Sequence, residues 1–176
     1  MSGHNKWSKI KHKKASTDAQ KSKIFGKFAR GIAVESKKSG GDINAPGLRL
    51  AIERARKENM PNENIERAVT KGKADTGVSL EAVTYETYGP GGAAIIIEGF
   101  TDNNNRTSQE IKHLLAQHSA TLAGPGSASW AFTKSSGEWS PQSTVKILGD
   151  ERERLERLIE ELEAHEDVQD VYTNVL

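Results

Sequence analysis

No cysteine occurs in the 176 residues, which excludes disulfides, thiolate metal centres and cysteine nucleophiles at once. Aromatic residues are scarce at 6% and hydrophobic residues reach only 35%, so any core must be modest. No run approaches the roughly 18 apolar residues of a membrane-spanning helix. The charged N-terminus also lacks the apolar stretch of a secretory signal. These absences predict a cytoplasmic location and no membrane partner.

Catalytic signatures are missing as well. Gly89-x-Gly91-x-x-Ala94 loosely matches a dinucleotide fingerprint, but that motif must open a helix whose free N–H groups hold the pyrophosphate. Here it runs into Ile95-Ile96-Ile97, a strand former, and reads as a hairpin turn. His113 and His118 are five apart rather than the four that align two imidazoles on a metal, and no HExxH surrounds them. The carboxylates near the C-terminus are regularly spaced, as on a solvated helix face. No catalytic residue, metal site or cofactor is therefore expected. A hydrolase using His113 or His118 is the remaining enzymatic alternative.

What the chain does have is segregated charge. Its formal net charge is +1, yet Met1 to Lys38 carries ten Lys and Arg30 against Asp18 and Glu35, a net of +9. Val145 to Leu176 carries four basic residues against ten acidic ones, a net of −6. A basic arm joined to an acidic domain points to a polyanionic partner held at one end. Lysine clusters gain affinity for phosphate by releasing condensed counterions, whatever the base sequence. Lys6, Lys9, Lys11, Lys13 and Lys14 surround Trp7 and His12, and an exposed indole among cations stacks on unpaired bases. The alternative for Trp7 is packing back onto the helices.

From about Ser16 a helix is expected, with Ser16 or Thr17 as its cap. A step of about 100° per residue puts Ile24, Phe25, Phe28 and Ile32 on one stripe. Lys23, Lys27, Arg30 and Lys37 fall on the opposite face, and Lys21 breaks the pattern. Ser39-Gly40-Gly41 ends this helix. A second helix starts after Asp42 or Asn44 and buries Leu48, Ile52 and Ala55. A third opens at Pro61-Asn62, buries Ile65 and Ala68, and ends at Gly72. These form a three-helix bundle with a basic arm, spanning residues 1–77.

Beyond Gly77 the period changes to that of strands. Val83–Tyr88 and Ala93–Phe100 read as a hairpin around Gly89-Pro90-Gly91-Gly92, followed by a helix over Thr107–His118. Strands are expected at Ser127–Phe132 and Thr144–Leu148. Asp150 then caps an amphipathic helix, and Val168–Val175 forms the last strand. This order predicts an α+β fold over 78–176, a ferredoxin-like antiparallel sheet with helices on one face. Asn105 and Arg106 lie where a polar loop enters a helix N-terminus, a place that suits a phosphate. A simple capping loop is the plainer alternative.

Together, Gly3-His4-Asn5-Lys6-Trp7-Ser8-Lys9-Ile10-Lys11-His12-Lys13-Lys14-Ala15, Tyr88-Gly89-Pro90-Gly91-Gly92, Thr101-Asp102-Asn103-Asn104-Asn105-Arg106-Thr107 and Asp167-Val168-Gln169-Asp170-Val171-Tyr172 resemble the YebC family. That family includes the mitochondrial translational activator of cytochrome oxidase. The resemblance implies a helical domain followed by α/β domains and a non-enzymatic role in gene expression. Some members are DNA-binding transcriptional regulators, and others are ribosome-associated factors that relieve stalling, notably at consecutive prolines. The expected partner is therefore nucleic acid, either ribosomal RNA, with the ribosome itself, or duplex DNA. A protein-interaction module is the alternative from another class. The chain departs from the family in lacking the α/β domain usually inserted between the strands near Phe132 and Val145.

Overall fold

The computed structural model describes residues 18–74 and 79–176. They fall into two compact units, one within Lys13–Glu81 and the other over Ala82–Leu176. The expected break between residues 77 and 78 lies outside the described residues, as do the candidate caps Ser16 and Thr17.

The first unit holds three helices, α1 (Asp18–Ser39), α2 (Pro46–Lys57) and α3 (Asn62–Lys73). Its core joins Ile32 of α1 to Leu48, Ile52 and Ala55 of α2 and to Ile65 and Ala68 of α3, with Met60 between the last two helices. Phe25 and Phe28 pack against that core, while Ile24 is only half-buried and stands outside it. α1 ends as expected, with Gly40 and Gly41 at positive φ and the Gly41 N–H donating to the Ser36 carbonyl at 2.9 Å.

Contact between α1 and α3 is set by small residues. A Cβ on Gly72 would lie 2.2 Å from the Ala33 carbonyl oxygen, so only glycine lets the two backbones come this close. Beside it the buried Ser36 hydroxyl donates to the Val69 carbonyl at 2.7 Å. That bond ties the helices together and satisfies a hydroxyl that would otherwise be costly to bury.

The second unit has a four-stranded sheet in the order β3-β1-β2-β6. Its strands are β1 (Glu81–Tyr88), β2 (Ala94–Thr101), β3 (Thr121–Ala123) and β6 (Val168–Thr173). β2 is central and buried on both faces, which explains why Ala94-Ile95-Ile96-Ile97 lacks polar alternation. Ile95 and Ile97 face α4 (Asn104–Gln117) and α5 (Asp150–Ala164), packing with Ile111, Leu115, Leu155 and Leu158. Ile96 packs on the other side with Ala128, Ala131 and Phe132. The α+β class and the antiparallel pairing agree with the expectation. A second, two-stranded sheet of β4 (Phe132–Ser135) and β5 (Glu138–Pro141) was not foreseen, and neither was β3.

Two expected strands are corrected. Ser127–Phe132 is a loop with a 3₁₀ turn at Ser129–Ala131, and only Phe132 enters a strand. The cause is Glu86, a buried carboxylate on β1 that accepts hydrogen bonds from the N–H groups of Gly126, Ala128 and Ser129 at 2.7–2.8 Å. Those amides curl around one anion and cannot pair with a neighbouring strand. Thr144–Leu148 makes a single parallel bridge, Val145 with Val175, and is no strand. Asp150 opens α5 rather than capping it, since Gly149 at φ 61° occupies the cap position.

Burial alone pushes the Glu86 carboxyl up, but the three amides outweigh it and hold the group below its ordinary value of 4.5. A depressed folded value means stability that is complete above pH 4.5 and lost as pH falls through the folded value. Glu86→Gln should cost about 1–3 kcal/mol at neutral pH in urea denaturation. It should also flatten the fall in stability below pH 4.5; an unchanged acid slope would reject this role.

Candidate nucleic-acid interface

The arm residues Lys6, Trp7, Lys9, Lys11, His12, Lys13 and Lys14 lie outside the described residues. The extension of the arm along α1 is described. Lys23 is exposed, whereas Lys27 and Arg30 are half-buried and each engaged with its surroundings. Residues 18–74 contain thirteen Lys and Arg against seven Asp and Glu, a net of +6. Residues 79–176 contain seven against sixteen, a net of −9. Charge therefore divides as the fold divides.

An open groove of about 520 Å³ runs between α1 and α3. Phe25, Ala29, Met60 and Ala68 supply its apolar lining, and Lys21, Arg67 and Lys71 supply cations, with Asp18 the single carboxylate. Arg67 is shared with Glu63 at 3.1 Å, an exposed i,i+4 pair of the kind that contributes little. Lys21 and Lys71 are both exposed and have no carboxylate partner among the described residues. The sequence pattern marked Lys21 only as an exception and passed over Arg67 and Lys71. They lie far from α1 in sequence, and only packing brings them to it.

Asn105 and Arg106 behave differently. Asn103 caps α4, its side-chain oxygen accepting the Arg106 N–H at 3.1 Å, and Asn105 is exposed. The Arg106 guanidinium lies 2.6 Å from Asp167, 3.0 Å from Asp102 and 3.9 Å from Glu110. The hydrogen bond to Asp167, then the charge of the same group, raises its pKa above the usual arginine value. Asp167 is buried and also accepts from the Thr107 hydroxyl at 2.7 Å. Three carboxylates around one cation leave a locally negative surface, which suits the capping alternative and disfavours phosphate.

The histidines pair with nearby polar groups. His113 meets Gln117 at 3.2 Å and His118 meets Glu161 at 2.9 Å. Glu110, His165 and Asp167 bring one ligand atom each within 4.8 Å, a grouping with metal-like composition that the sequence pattern did not flag. Its hydrogen bonds argue against a metal. His165 Nδ1 accepts the Asp167 N–H at 3.1 Å, so Nε2 carries the proton facing Glu110 at 2.9 Å. Neither ring nitrogen offers a lone pair, and Arg106 already neutralises Asp167.

A second surface of a different kind lies on the α/β unit. Trp130 is exposed, its Nε1 donating to the Tyr88 hydroxyl at 2.8 Å, and Tyr88 donates to the Ser127 carbonyl at 2.5 Å. Both rest on the loop that Glu86 pins.

The fold and the distribution of charge define a two-unit α+β protein with a basic helical half, and comparison with known proteins gives its family. Residues 5–75 match the model of the TACO1/YebC protein N-terminal domain. Residues 80–137 and 133–175 match the TACO1/YebC second and third domain. The chain belongs to the TACO1/YebC family.

Among its relatives, a probable transcriptional regulatory protein of Thermotoga petrophila is 50% identical over 150 residues, covering 84% of this chain and 59% of that protein. One from Thermotoga maritima is 48% identical, covering 90% of this chain and 61% of its own length. The chain thus spans about three-fifths of these two relatives. One from Pelotomaculum thermopropionicum is 37% identical over 238 aligned positions, covering 99% of this chain and 98% of the relative. A conserved hypothetical protein of Aquifex aeolicus has a similar solved structure, with TM-score 0.83, 32% identity, and coverage of 97% of this chain and 96% of that one. The alignment of 238 positions against 176 residues, and the meeting of the two matched stretches at 133–137, place the missing segment at the β4–β5 turn. Among the described residues no helix is long and apolar enough to cross a membrane.

Arg106→Ala should lower the melting temperature by leaving buried Asp167 without its cation, while duplex and single-strand affinities change less than twofold. A tenfold loss of affinity in a folded variant would instead make Arg106 part of the interface.

Proposed function

We propose that this protein is a non-enzymatic, nucleic-acid-binding regulator of gene expression that acts on RNA at the ribosome and relieves stalled synthesis. The observation that carries the proposal is the division of charge between the units, +6 on residues 18–74 against −9 on residues 79–176. A polyanion is drawn to the first and repelled by the second. Lys6, Lys9, Lys11, Lys13 and Lys14 add five further cations to the basic end.

Lysines on the arm and on α1 contact phosphate as point charges, and Trp7 and His12 supply the stacking or polar contacts that favour unpaired bases. Among the described helices of the basic unit, Asn and Arg come together on α3 alone, at Asn64 and Arg67, and the other exposed cations are mostly lysines without base-reading geometry. Structured RNA with accessible single strands fits this chemistry better than an operator sequence. The relatives' descriptions as transcriptional regulators favour a second reading, duplex DNA, with the same cations as the contact.

Co-sedimentation with ribosomes and gel-shift on duplex DNA, run side by side at about 50 and 200 mM salt, separate these readings. About six phosphate contacts should cost roughly a thousandfold in affinity over that salt range. Changing Lys9, Lys11, Lys13 and Lys14 to Ala should cut the slope of log affinity against log salt by about three units. Ribosome association lost in this variant supports the RNA reading. Sequence-selective duplex binding without ribosomes moves the function to transcription. Salt-insensitive association would point to a protein partner instead.

A further inference from the structure

Gly26 sits in the interior of α1, a helix of 22 residues, where glycine costs about 1 kcal/mol relative to alanine. Glycines in such places have a structural reason when another backbone presses against them, as Ala33 presses on Gly72. Gly26 has no such reason. A Cβ built there meets nothing within 4 Å, and its backbone is not in the left-handed region. It does have a location: it is in the wall of the α1–α3 groove, one residue from Phe25 and one turn from Ser22.

We infer that this groove binds one nucleotide of a single-stranded nucleic acid, with the base against the apolar lining and the flanking phosphates on Lys21, Lys71 and Arg67. The inference rests on the nucleic-acid reading above and assigns it a site. The groove's volume of about 520 Å³ lies within the roughly 300–1,000 Å³ of small-ligand sites. Its apolar residues, Phe25, Ala29, Met60 and Ala68, suit the face of a base, and Phe25 supplies a ring for stacking. The cations match the charge of a backbone in transit, and two of them, Lys21 and Lys71, are uncommitted to any carboxylate among the described residues.

Glycine at position 26 leaves the α1 wall of the groove without a side chain between Phe25 and Ala29, so the ligand reaches the helix backbone there. This is the use of glycine where a ligand must come close. A duplex does not fit the same chemistry, because its bases are paired and stacked away from an apolar wall. The lone carboxylate, Asp18, stands at the start of α1 and gives the groove a less favourable end for phosphate.

The test uses the full chain and fluorescence anisotropy with a labelled 12-nucleotide oligouridylate and a duplex RNA of equal length. Gly26→Leu fills the groove while improving helix propensity, and Gly26→Ala is its mild counterpart. Lys71→Ala removes a rim cation. The expected results are at least a fivefold loss of single-strand affinity in Gly26→Leu, with a melting temperature no lower than wild type and duplex affinity within twofold. Lys71→Ala should reduce the single-strand salt slope by about 0.7.

Single-strand affinity within twofold of wild type in Gly26→Leu overturns the groove assignment but leaves binding through the arm intact. Unchanged affinity with a lowered melting temperature overturns it too, since the filled groove would then matter to stability and not to binding. Equal losses for single strand and duplex contradict the selectivity. A wild type that binds neither probe removes the functional reading and this site together.

Discussion

The close approach of α1 and α3 at Gly72 sets the geometry of the basic half. With Ala33 against a glycine and Ser36 bonded to the Val69 carbonyl, the two helices are held at backbone contact over their later turns. The earlier turns of α1 then face the start of α3 across a groove instead of a filled core. Phe25 is consequently half-buried, at the edge of the cluster that Ile32 and Leu48 complete. Cations from two helices, remote in sequence, line the two walls of one groove because of that contact. A larger residue at position 72 would force the helices apart by overpacking, with costs on the order of 1–3 kcal/mol.

The α/β unit spends its buried polar groups on its own architecture. Glu86 organises the loop beneath Trp130, and the Asp167 carboxylate accepts from Arg106 and Thr107 while its own backbone N–H donates to His165 at the end of α5. Each is an anion satisfied by several donors, the condition under which burying a charge is tolerable. In both cases the donors come from the same unit as the anion. The unit as a whole is strongly acidic, at −9 over residues 79–176, which disfavours a phosphate backbone.

Much of the fold was legible from periodicity. Three of the four stripe residues, Phe25, Phe28 and Ile32 but not Ile24, the burial of Leu48, Ile52 and Ala55, and the hairpin at Gly89–Gly92 follow from local spacing and turn chemistry. What failed to show were features decided by distant partners. Nothing around Ser127–Ala131 announces that Glu86, some forty residues earlier, will draw its amides into a curl. The β4–β5 pairing occupies a stretch that looked like a plain connection, and Trp139 there is fixed by Glu98 at 2.8 Å. For the site, the charge division was plain in the sequence. Arg106 looked available because its three acids come from two separate segments, Asp102 and Glu110 nearby but Asp167 sixty-one residues away. Gly26 went unremarked in the sequence because α1 carries two interior glycines, Gly26 and Gly31, and only packing shows that Gly26 lines the groove opposite α3.

The central claim is that nucleic acid is held by the basic helical half and not by the α/β half. Zero-length photocrosslinking of the full chain to single-stranded RNA, with the crosslinked peptides identified by mass spectrometry, locates the contact directly. Crosslinks confined to residues before Glu81, with α1 and α3 peptides among them, are the predicted result. Crosslinks concentrated on Trp130, Tyr88 or elsewhere after Ala82 would contradict the account.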